Sequence, residues 1–505
     1  MLAKVLGHVL DGLDGYIVNV EVDTNLGLPA FEIVGLPDAA VKESKERVRS
    51  AIKNSGKRFP NHKITVNLAP ADVRKEGAGL DLAIAVGIIK ASEQLVSIDD
   101  GVVLLGELSL DGKIRGVNGV LPTLISLKEK GYKKAIIPTE NAKEAGYIDG
   151  IDIYPMETLE QACAFLEGKT EIRPLEKSDY TDLLGEVEYV NDLKYVKGQF
   201  LARRALEVAV SGNHNIIMVG PPGAGKTMLA KCIPSIMPNM SFDEMLETTK
   251  IHSVAGLLSR EEGIVYKRPF MTPHHTASNV ALIGGGNTAK PGIISLAHNG
   301  VLYLDEMPEY SRSTLESLRQ PLEDRVITVS RIKANVKYPA SFMLVGSMNP
   351  CPCGNYGSKT ATCTCTSSQI QKYKAKISGP LMDRIDIRIN VGNVVYSDLV
   401  NKEEGESSEK VRARVNRARL IQRERFKDDG IETNAEMSEK HLAKYCQLDE
   451  SGEAVLEAAF AKFNMTARAR SRIIKVARTI ADLELSEKIE CSHLVEAISY
   501  RNDKV

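Results

Sequence analysis

A glycine-rich octapeptide, Gly220-Pro-Pro-Gly-Ala-Gly-Lys-Thr227, constrains the fold of this 505-residue chain more than any other segment. It follows an apolar strand pattern, Ile216–Val219, and precedes a helical pattern, Met228–Ile233. The octapeptide fits G-x-x-x-x-G-K-[ST] in the strand–loop–helix context that this motif requires. Backbone N–H groups of such a loop converge on phosphate oxygens, and the helix N-terminus adds positive potential. We therefore expect an α/β core whose phosphate site consists of Gly220, Pro221, Pro222, Gly223, Ala224, Gly225, Lys226 and Thr227.

Two carboxylates complete the expected nucleotide site. The apolar run Val301–Leu304 is typical of a buried strand, and it ends in Asp305 and Glu306. In such sites the loop lysine reaches the β- and γ-phosphates of ATP, and the following hydroxyl, here Thr227, ligates Mg²⁺. Asp305 is then expected to hold Mg²⁺, and Glu306 to act as general base on water. Without the glycine-rich loop, these carboxylates would indicate only a solvated strand end.

Three more side chains are candidates for ATP hydrolysis. Asn349 ends the strand pattern Phe342–Ser347 and could orient the attacking water. Arg384 precedes another strand, and Arg468 opens a basic helix. An arginine held against the γ-phosphate stabilises the charge that develops in the transition state. For each arginine taken alone, a structural ion pair is the alternative.

The composition indicates a globular protein of several domains, with 65 Lys+Arg against 66 Asp+Glu and 43% apolar residues. Neither a membrane span nor a signal peptide is visible, so we expect a cytoplasmic location and no membrane partner. Strand and helix patterns divide the chain into five parts. These are an α/β or α+β domain at 1–170, an acidic linker at 171–197, an α/β core at 198–395, a basic helical connector at 396–430 and a helical bundle at 431–505.

Four of the eight cysteines lie within fifteen residues, as the pairs Cys351-Pro-Cys353 and Cys363-Thr-Cys365. In a chain with no secretory signal this clustering favours a metal over disulfides. Four thiolates suit tetrahedral Zn²⁺, although ligand pairs are more often spaced C-x₂₋₄-C. The expected role is structural, because the cluster directly follows Asn349. A reduced metal-free loop or a redox pair is the alternative.

These motifs together resemble the YifB/ComM family of magnesium-chelatase-like AAA+ ATPases over essentially the whole chain. The segments that carry the resemblance, besides the glycine-rich loop and Asp305-Glu306, are Gly35–Ser44, Ser347–Gly354, Gly379–Arg384 and Lys475–Leu483. The resemblance implies a multidomain α/β fold. Its parts are a Lon-protease-like α+β domain (ribosomal S5 domain 2-like), a P-loop AAA+ core of magnesium-chelatase type and a C-terminal α-helical lid.

The resemblance also implies roles for individual residues. Asn349 is similar to sensor 1, Arg384 to an arginine finger that acts on the neighbouring subunit's ATP, and Arg468 to sensor 2. Arg470 and Arg472 lie close enough in sequence to be alternatives for sensor 2. The segment Val196–Gln199 resembles an adenine-pocket loop. Family members form hexameric rings, and ComM-type members are DNA motors that drive branch migration in natural transformation.

The N-terminal domain resembles the Lon-protease fold, with Leu108–Arg115 and Ala135–Asn141 similar to segments of it. Lon enzymes use a Ser–Lys dyad. The stretch Lys75–Leu80 offers no serine where the nucleophile would fall, and Asn118–Thr123 offers no lysine where its partner would fall. A nucleophile requires an adjacent base for activation. We therefore predict a protease fold without protease chemistry or a protease substrate.

Basic segments suggest where single-stranded or branched DNA could bind, despite the net charge of −1. They are residues 325–337, 410–427 and 464–478, and lysines and arginines of this kind neutralise phosphates without reading sequence. The first segment alternates like a β-hairpin and resembles the pre-sensor 1 hairpin that enters the ring pore. Its predicted DNA contacts are Arg331, Lys333 and Lys337. A solvated helix or strand face is the alternative, above all for 410–427.

Two functions compete with a hexameric DNA motor of the ComM type. One is a magnesium-chelatase ATPase subunit that drives metal insertion into a porphyrin. The other is a scaffold that binds ATP without turnover, against which Glu306 and Arg384 argue. The adjacent His274 and His275 have no third ligand at a clear spacing, so we assign them no metal.

Overall fold

The computed structural model describes residues 2–95, 99–184, 189–286, 289–330, 335–357, 361–393, 405–463 and 465–501. One β-sheet organises the N-terminal third of the chain, and a second organises the region of the phosphate loop. Helices make up the C-terminal part. No helix within these ranges is long and apolar enough to cross a lipid bilayer.

The N-terminal unit is a mixed sheet with helices. Its strands are β1 (Leu2–Asp11), β2 (Asp14–Asn25), β3 (Ala30–Val34), β4 (Lys63–Ala69), β5 (Val102–Leu104), β6 (Glu107–Leu108), β7 (Ile114–Arg115), β8 (Lys134–Pro138) and β9 (Asp152–Met156). Its helices are α1 (Ala39–Asn54), α2 (Asp81–Ala91), α3 (Val120–Glu129), α4 (Ala142–Ala145) and α5 (Leu159–Leu166). The sheet order is β3-β4-β2-β1-β5-β8-β9, and β6 pairs with β7 alone.

Helix α2 lies at the centre of this unit, where it packs on β1, β2 and α1. All its residues except Lys90 are buried, which explains why its sequence is apolar on every side. The charged residue among the buried ones is Asp81, whose carboxylate accepts hydrogen bonds from the Ser44 hydroxyl and from Arg47 Nε at 2.7 Å. A buried carboxylate requires such partners, because it has lost its hydration.

The core of the second unit has the following elements. After a short helix α6 (Thr181–Leu184), they are α7 (Phe200–Gly212), β10 (Ile216–Val219), α8 (Lys226–Ile236), α9 (Phe242–Ala255), β11 (Phe270–Met271), α10 (Asn279–Ile283), β12 (Gly284–Gly285), β13 (Lys290–Pro291), α11 (Ile293–Leu296), β14 (Val301–Leu304), α12 (Arg312–Ser317), α13 (Arg319–Asp324), β15 (Val326–Ser330), β16 (Asn335–Pro339), β17 (Met343–Met348), α14 (Ser367–Lys374), α15 (Gly379–Met382) and β18 (Ile387–Asn390).

The strands β11-β14-β17-β10-β18 form, in that order, a sheet in which every neighbouring pair is parallel. Strands β10, β14 and β17 are completely buried, as expected for a parallel sheet covered on both faces. Because the strands are parallel, their carboxyl ends share one edge, and ligands of α/β sheets bind along that edge.

The C-terminal part is helical. Its elements are α16 (Ser408–Arg425), α17 (Glu439–Tyr445), α18 (Glu450–Phe463), α19 (Ala467–Leu483) and α20 (Cys491–Ser499). Helices α16 and α19 pack on α7 of the core, so that one apolar cluster continues from the parallel sheet into these helices. The amphipathic pattern of α19 is consistent with this packing, because its apolar residues face the cluster.

The N-terminal unit is in direct contact with the phosphate-loop core. The Ser253 hydroxyl of α9 donates to Glu144 Oε2 at 2.9 Å and accepts a hydrogen bond from Gly119 N at 3.1 Å. The turn between β1 and β2 reaches the β15–β16 hairpin, where Leu13 packs against the apolar cluster that contains Val336 and Tyr338. Polar and apolar contacts therefore join the two sheets.

The strand and helix patterns of the sequence agree with these elements. The apolar runs at 216–219 and 301–304, which the sequence predicts as buried strands, are strands β10 and β14. Strands β1, β3 and β9 were not expected from the sequence. β1 buries both faces in its second half, so it lacks the simple alternation that predicts a strand.

Candidate functional site

The phosphate loop connects β10 to α8 at the carboxyl edge of the parallel sheet. Gly225 adopts a left-handed conformation with φ 87°, and α8 begins at the next residue, Lys226. A side chain at Gly225 would be strained in this conformation, which accounts for the glycine before the lysine. The first backbone N–H groups of α8 are consequently exposed at the sheet edge, where they can bind an anion.

Lys226 lies across the mouth of the loop. Its Nζ donates to the carbonyl oxygens of Gly220 at 2.7 Å and Pro221 at 2.9 Å, and to Asn349 Oδ1 at 3.2 Å. Burial lowers the pKa of Lys226, and the charges of Asp305 and Glu306 oppose that shift. The ammonium group is therefore close to the amide that was predicted to orient water.

Asp305 follows β14 and contacts the first turn of α8. Its Oδ2 accepts a hydrogen bond from Thr227 Oγ1 at 3.1 Å, and its Oδ1 accepts one from the Ser347 hydroxyl. Burial opposes ionisation of Asp305, but hydrogen bonds from Ser347, Tyr303 and Thr227 outweigh burial and lower its pKa. An ionised carboxylate and a hydroxyl thus converge, and hard oxygen ligands of this kind are the ones that Mg²⁺ prefers.

Glu306 is the exposed neighbour of Asp305. Its backbone is left-handed, with φ 49° and ψ 48°, and its N–H donates to Ser347 Oγ at 3.2 Å. Non-glycine residues adopt this conformation rarely, and such outliers concentrate at functional sites. Glu306 is exposed whereas Asp305 is half-buried, so the two carboxylates have different surroundings.

Two residues of this site, Tyr303 and Ser347, were not expected from the sequence. The Tyr303 hydroxyl lies 3.4 Å from Thr227 Oγ1, and burial raises the pKa of Tyr303 to about 12. Tyr303 lies on β14, two positions before Asp305, and Ser347 lies on β17, two positions before Asn349. Because alternate side chains of a strand share one face, this spacing could have identified them.

Arg384 and Arg468 line a cleft of about 170 Å³ together with Glu323, and none of the described residues that line this cleft belongs to the phosphate loop. Arg384 is only 6% exposed, forms an ion pair with Glu323 and donates to the Pro380 carbonyl at 2.7 Å. Arg468 is exposed and forms no ion pair with any residue that the structure describes. The structure therefore brings the two predicted arginines together, but not to the phosphate loop of their own chain.

The two alternatives to Arg468 have structural partners. Arg472 pairs with the buried Asp386, which also accepts a hydrogen bond from Asn215 N at 3.1 Å. Arg470 pairs with Glu453 at 2.8 Å. Burial opposes ionisation of Asp386, yet Arg472 and His214 lower its pKa.

The segment that resembles an adenine-pocket loop touches the phosphate loop. Gln199 Nε2 donates to the carbonyl of Ala224 at 3.3 Å and to that of Gly392 at 2.6 Å. Its backbone is left-handed, with φ 55°, immediately before α7. This segment therefore contacts the phosphate loop directly.

The four clustered cysteines come together in space. The sulfur atoms of Cys351, Cys353, Cys363 and Cys365 all lie within 4.8 Å of one another. Cys351 is buried, and the other three are half-buried. The set is one that could hold a metal ion.

The predicted DNA hairpin is present as the antiparallel pair β15–β16. Val336 and Tyr338 of β16 are buried, whereas Lys337 between them is exposed. The other two predicted contacts, Arg331 and Lys333, lie outside the described residues.

The other basic segments are used largely within the protein. Arg414 pairs with Glu207 and Glu406, and Arg425 and Arg478 both pair with Asp482. Arg419 donates to the Val210 carbonyl at 3.1 Å. In these helices much of the positive charge therefore stabilises the fold, although Lys410, Arg417, Arg423 and Lys427 stay exposed.

Comparison with known proteins places the chain among close relatives. It is 42% identical to the uncharacterized protein YifB of Salmonella typhimurium over 99% of this chain and 97% of that protein. It is also 42% identical to the competence protein ComM of Haemophilus influenzae, with the same coverage. The chain belongs to the YifB/ComM family of magnesium-chelatase-like AAA+ ATPases. Models of the magnesium chelatase subunit ChlI match residues 20–141 and 192–399, and a model of its C-terminal part matches 405–501.

This YifB/ComM chain also has protease relatives in its N-terminal region. Lon protease 2 of Bacillus subtilis is 33% identical to it over 121 residues, which are 24% of this chain and 22% of that protein. The two segments without the serine and the lysine line one cleft of about 450 Å³ together with His8 and Tyr338. Among the described residues that line this cleft, none is a serine or a cysteine.

Proposed function

We propose that the protein is an ATP-hydrolysing hexameric ring that moves DNA, a branch-migration motor of the ComM type. The observation that carries the ATPase part is the convergence of Lys226, Asn349, Thr227 and Asp305 at the end of the parallel sheet, with direct contacts of 3.1–3.2 Å. Glu306 lies beside them, exposed to solvent. These are the groups that phosphoryl transfer to water requires.

In this proposal Thr227 and Asp305 hold Mg²⁺, and the loop N–H groups together with Lys226 hold the ATP phosphates. Bound Mg²⁺ neutralises charge on the β- and γ-phosphate oxygens. Lys226 exchanges its contacts with the Gly220 and Pro221 carbonyls for phosphate oxygens. Glu306 takes the proton from the attacking water, and Asn349 orients that water.

Arg384 and Arg468 supply the argument for a ring. Within one chain they line a cleft with Glu323, and among the described residues neither arginine has a hydrogen bond to the phosphate loop. A neighbouring subunit that presents this cleft to the loop would complete the site. We propose that Arg384, with Arg468 as sensor 2, acts on the neighbour's ATP.

DNA is the proposed substrate of the motor, and the β15–β16 hairpin its proposed contact. Lys337 is exposed on that hairpin, and Arg331 and Lys333 belong to the same segment. The competence function in the name of the Haemophilus relative supports this part of the proposal. A motor on chromosomal or incoming DNA acts in the cytoplasm, which is the location we propose.

The test is ATP hydrolysis and branch migration on forked and four-way junctions. We expect DNA to stimulate hydrolysis, and Glu306→Gln to bind ATP while hydrolysing it at least about 100-fold more slowly. Mixing inactive Lys226→Ala chains with inactive Arg384→Ala chains should restore partial activity, because each active site then draws on two subunits. Hydrolysis indifferent to DNA, together with unmoved junctions, would refute the DNA assignment.

A magnesium-chelatase subunit is the second candidate, favoured by the descriptions of the matching family models. It shares the ATPase site but requires a porphyrin and a metal as substrates. ATP-dependent metal insertion by the purified protein with its partner subunits would support this candidate. An ATP-binding scaffold without turnover is the third, and Glu306→Gln with unchanged turnover would revive it.

A further inference from the structure

The four-cysteine cluster has distances that distinguish its possible states. Cys351 Sγ lies 3.4 Å from Cys353 Sγ and 3.7 Å from Cys363 Sγ, and the Cys353–Cys363 distance is 3.6 Å. A disulfide requires about 2.05 Å between sulfurs. Tetrahedral Zn²⁺ with Zn–S bonds of about 2.3 Å separates its sulfurs by about 3.8 Å. The observed spacing therefore matches a shared cation and not a disulfide.

Backbone N–H groups contact sulfur atoms of this cluster. Tyr356 N donates to Cys351 Sγ at 3.3 Å, and the amides of Asn355 and Thr364 donate to Cys353. Hydrogen bonds of this kind orient metal ligands and stabilise their charge. The four sulfur atoms lie close enough together for one cation to bind all of them. The donor set is therefore that of a closed structural Zn²⁺ site with four sulfur ligands.

The cluster also touches the nucleotide site, through Gly354 and Pro222. Gly354 has φ +80°, and a Cβ added to it would lie 2.5 Å from Pro222 Cδ of the phosphate loop. The same cysteine segment begins two residues after Asn349, which contacts Lys226. Its second arm leads into α14, where Tyr373 forms a hydrogen bond to the backbone of Asn349.

We propose that Zn²⁺ bound by Cys351, Cys353, Cys363 and Cys365 ties these two arms together and presses Gly354 onto Pro222. The metal thereby fixes the phosphate loop and Asn349, and its occupancy sets the affinity for nucleotide. This inference rests on the proposed ATPase function and deepens it. Metal content and nucleotide binding can both be measured without hydrolysis, so that its failure is distinguishable from failure of the ATPase proposal.

The first experiment measures metal in the full-length protein by elemental analysis and replaces it with Co²⁺. We expect about one zinc ion per chain and, with Co²⁺, the intense visible absorption of tetrahedral thiolate coordination. Cys363→Ser/Cys365→Ser should bind no metal, whereas Cys491→Ser, a half-buried thiol outside the cluster, should bind as wild type. A wild-type protein without zinc, and without the Co²⁺ spectrum, would overturn the metal site.

The second experiment measures the Kd of a non-hydrolysable ATP analogue. We expect chelation of the metal, or Cys363→Ser/Cys365→Ser, to weaken binding by about tenfold, and zinc to restore it in the chelated wild type. Gly354→Ala should keep its zinc and still weaken binding, because the added methyl group displaces Pro222. Unchanged affinity after metal removal would refute the link to the phosphate loop even if zinc is present.

Discussion

The N-terminal unit and the phosphate-loop core differ in what their surfaces offer a substrate. The N-terminal unit has a cleft, whereas the core has a cluster of polar side chains suited to catalysis. The N-terminal unit contributes most of the lining of a cleft of about 450 Å³, yet none of the described residues that line this cleft is a serine. The core presents an open sheet edge, and there Lys226, Asp305 and Asn349 are held by direct hydrogen bonds. A cleft that a protein shares with enzymes of the same fold does not imply their activity, because catalysis requires specific side chains at specific distances.

Two lysines illustrate the same contrast. Lys75 is completely buried, and its Nζ donates to the carbonyls of Pro70 and Val73. Lys226 likewise donates to two carbonyls, but it is half-buried and faces a loop of exposed N–H groups. Phosphate can replace the carbonyls at Lys226, whereas no ligand reaches Lys75. We therefore predict that Lys75 contributes to stability and that Lys226 contributes to ATP hydrolysis.

The largest effect is expected from substituting the two lysines, Lys226 and Lys75. Lys226→Ala should reduce ATP hydrolysis by at least about 100-fold with little change in unfolding, because an exposed loop loses its phosphate contact. Lys75→Met should lower the midpoint of thermal unfolding while ATP turnover per folded chain stays near wild type. Steady-state ATPase assays and calorimetry measure the two quantities. Loss of turnover in folded Lys75→Met would contradict the separation.

The next largest effect is a loss of stability that we expect for a substitution of Arg472 but not of Arg468. Arg472→Ala leaves the buried Asp386 without its arginine, so we expect unfolding to become easier by about 3 kcal/mol. Arg468→Ala removes an exposed side chain and should cost little stability while ATP hydrolysis falls. Denaturant unfolding and ATPase assays on both variants measure this. If Arg468→Ala unfolds easily and Arg472→Ala does not, the assignment of sensor 2 is wrong.

A smaller effect concerns His8, which is 3% exposed beside the N-terminal cleft. Burial, and then the charge of Lys130, lower the pKa of His8 from 6.5 to about 3. Between these pH values the unfolded chain binds a proton that the folded chain does not, so stability falls as pH falls. The loss approaches about 1.4 kcal/mol per pH unit.

The measurement is thermal unfolding of wild type and His8→Gln between pH 6.5 and pH 5, above the range in which most carboxylates titrate. Wild type should lose about 2 kcal/mol more than the variant over this interval. Equal pH dependence of the two proteins would show that His8 becomes protonated without unfolding.

The smallest expected effect is the absence of peptide hydrolysis. Thr123 lines the N-terminal cleft and carries a hydroxyl. Because no serine–lysine pair activates a nucleophile there, wild type and Thr123→Ala should both fail to cleave fluorogenic peptides. Cleavage by wild type that Thr123→Ala abolishes would show that the cleft retained a catalytic hydroxyl.

Much of the ATP site could be predicted because it depends on local sequence. Strand, glycine-rich loop and helix follow one another directly, so the motif at 220–227 specifies its own geometry. The position of Arg384 could not be derived in this way, because its partner Glu323 lies 61 positions earlier in the chain. The role of Arg384 in a neighbouring subunit, which the resemblance implies, stays a prediction.

The sequence by itself determined the chemistry: a phosphate loop, two carboxylates after a strand, and four closely spaced cysteines. Periodicity and motif spacing depend on residues close together in the chain, so they can be recognised whatever the tertiary packing of the other segments. The tertiary structure decided which charges are free. Arg472 and Arg414 are committed to ion pairs, Arg468 is not paired within the described residues, and Gly354 lies on Pro222. These outcomes depend on contacts between distant segments, which only the packed chain defines.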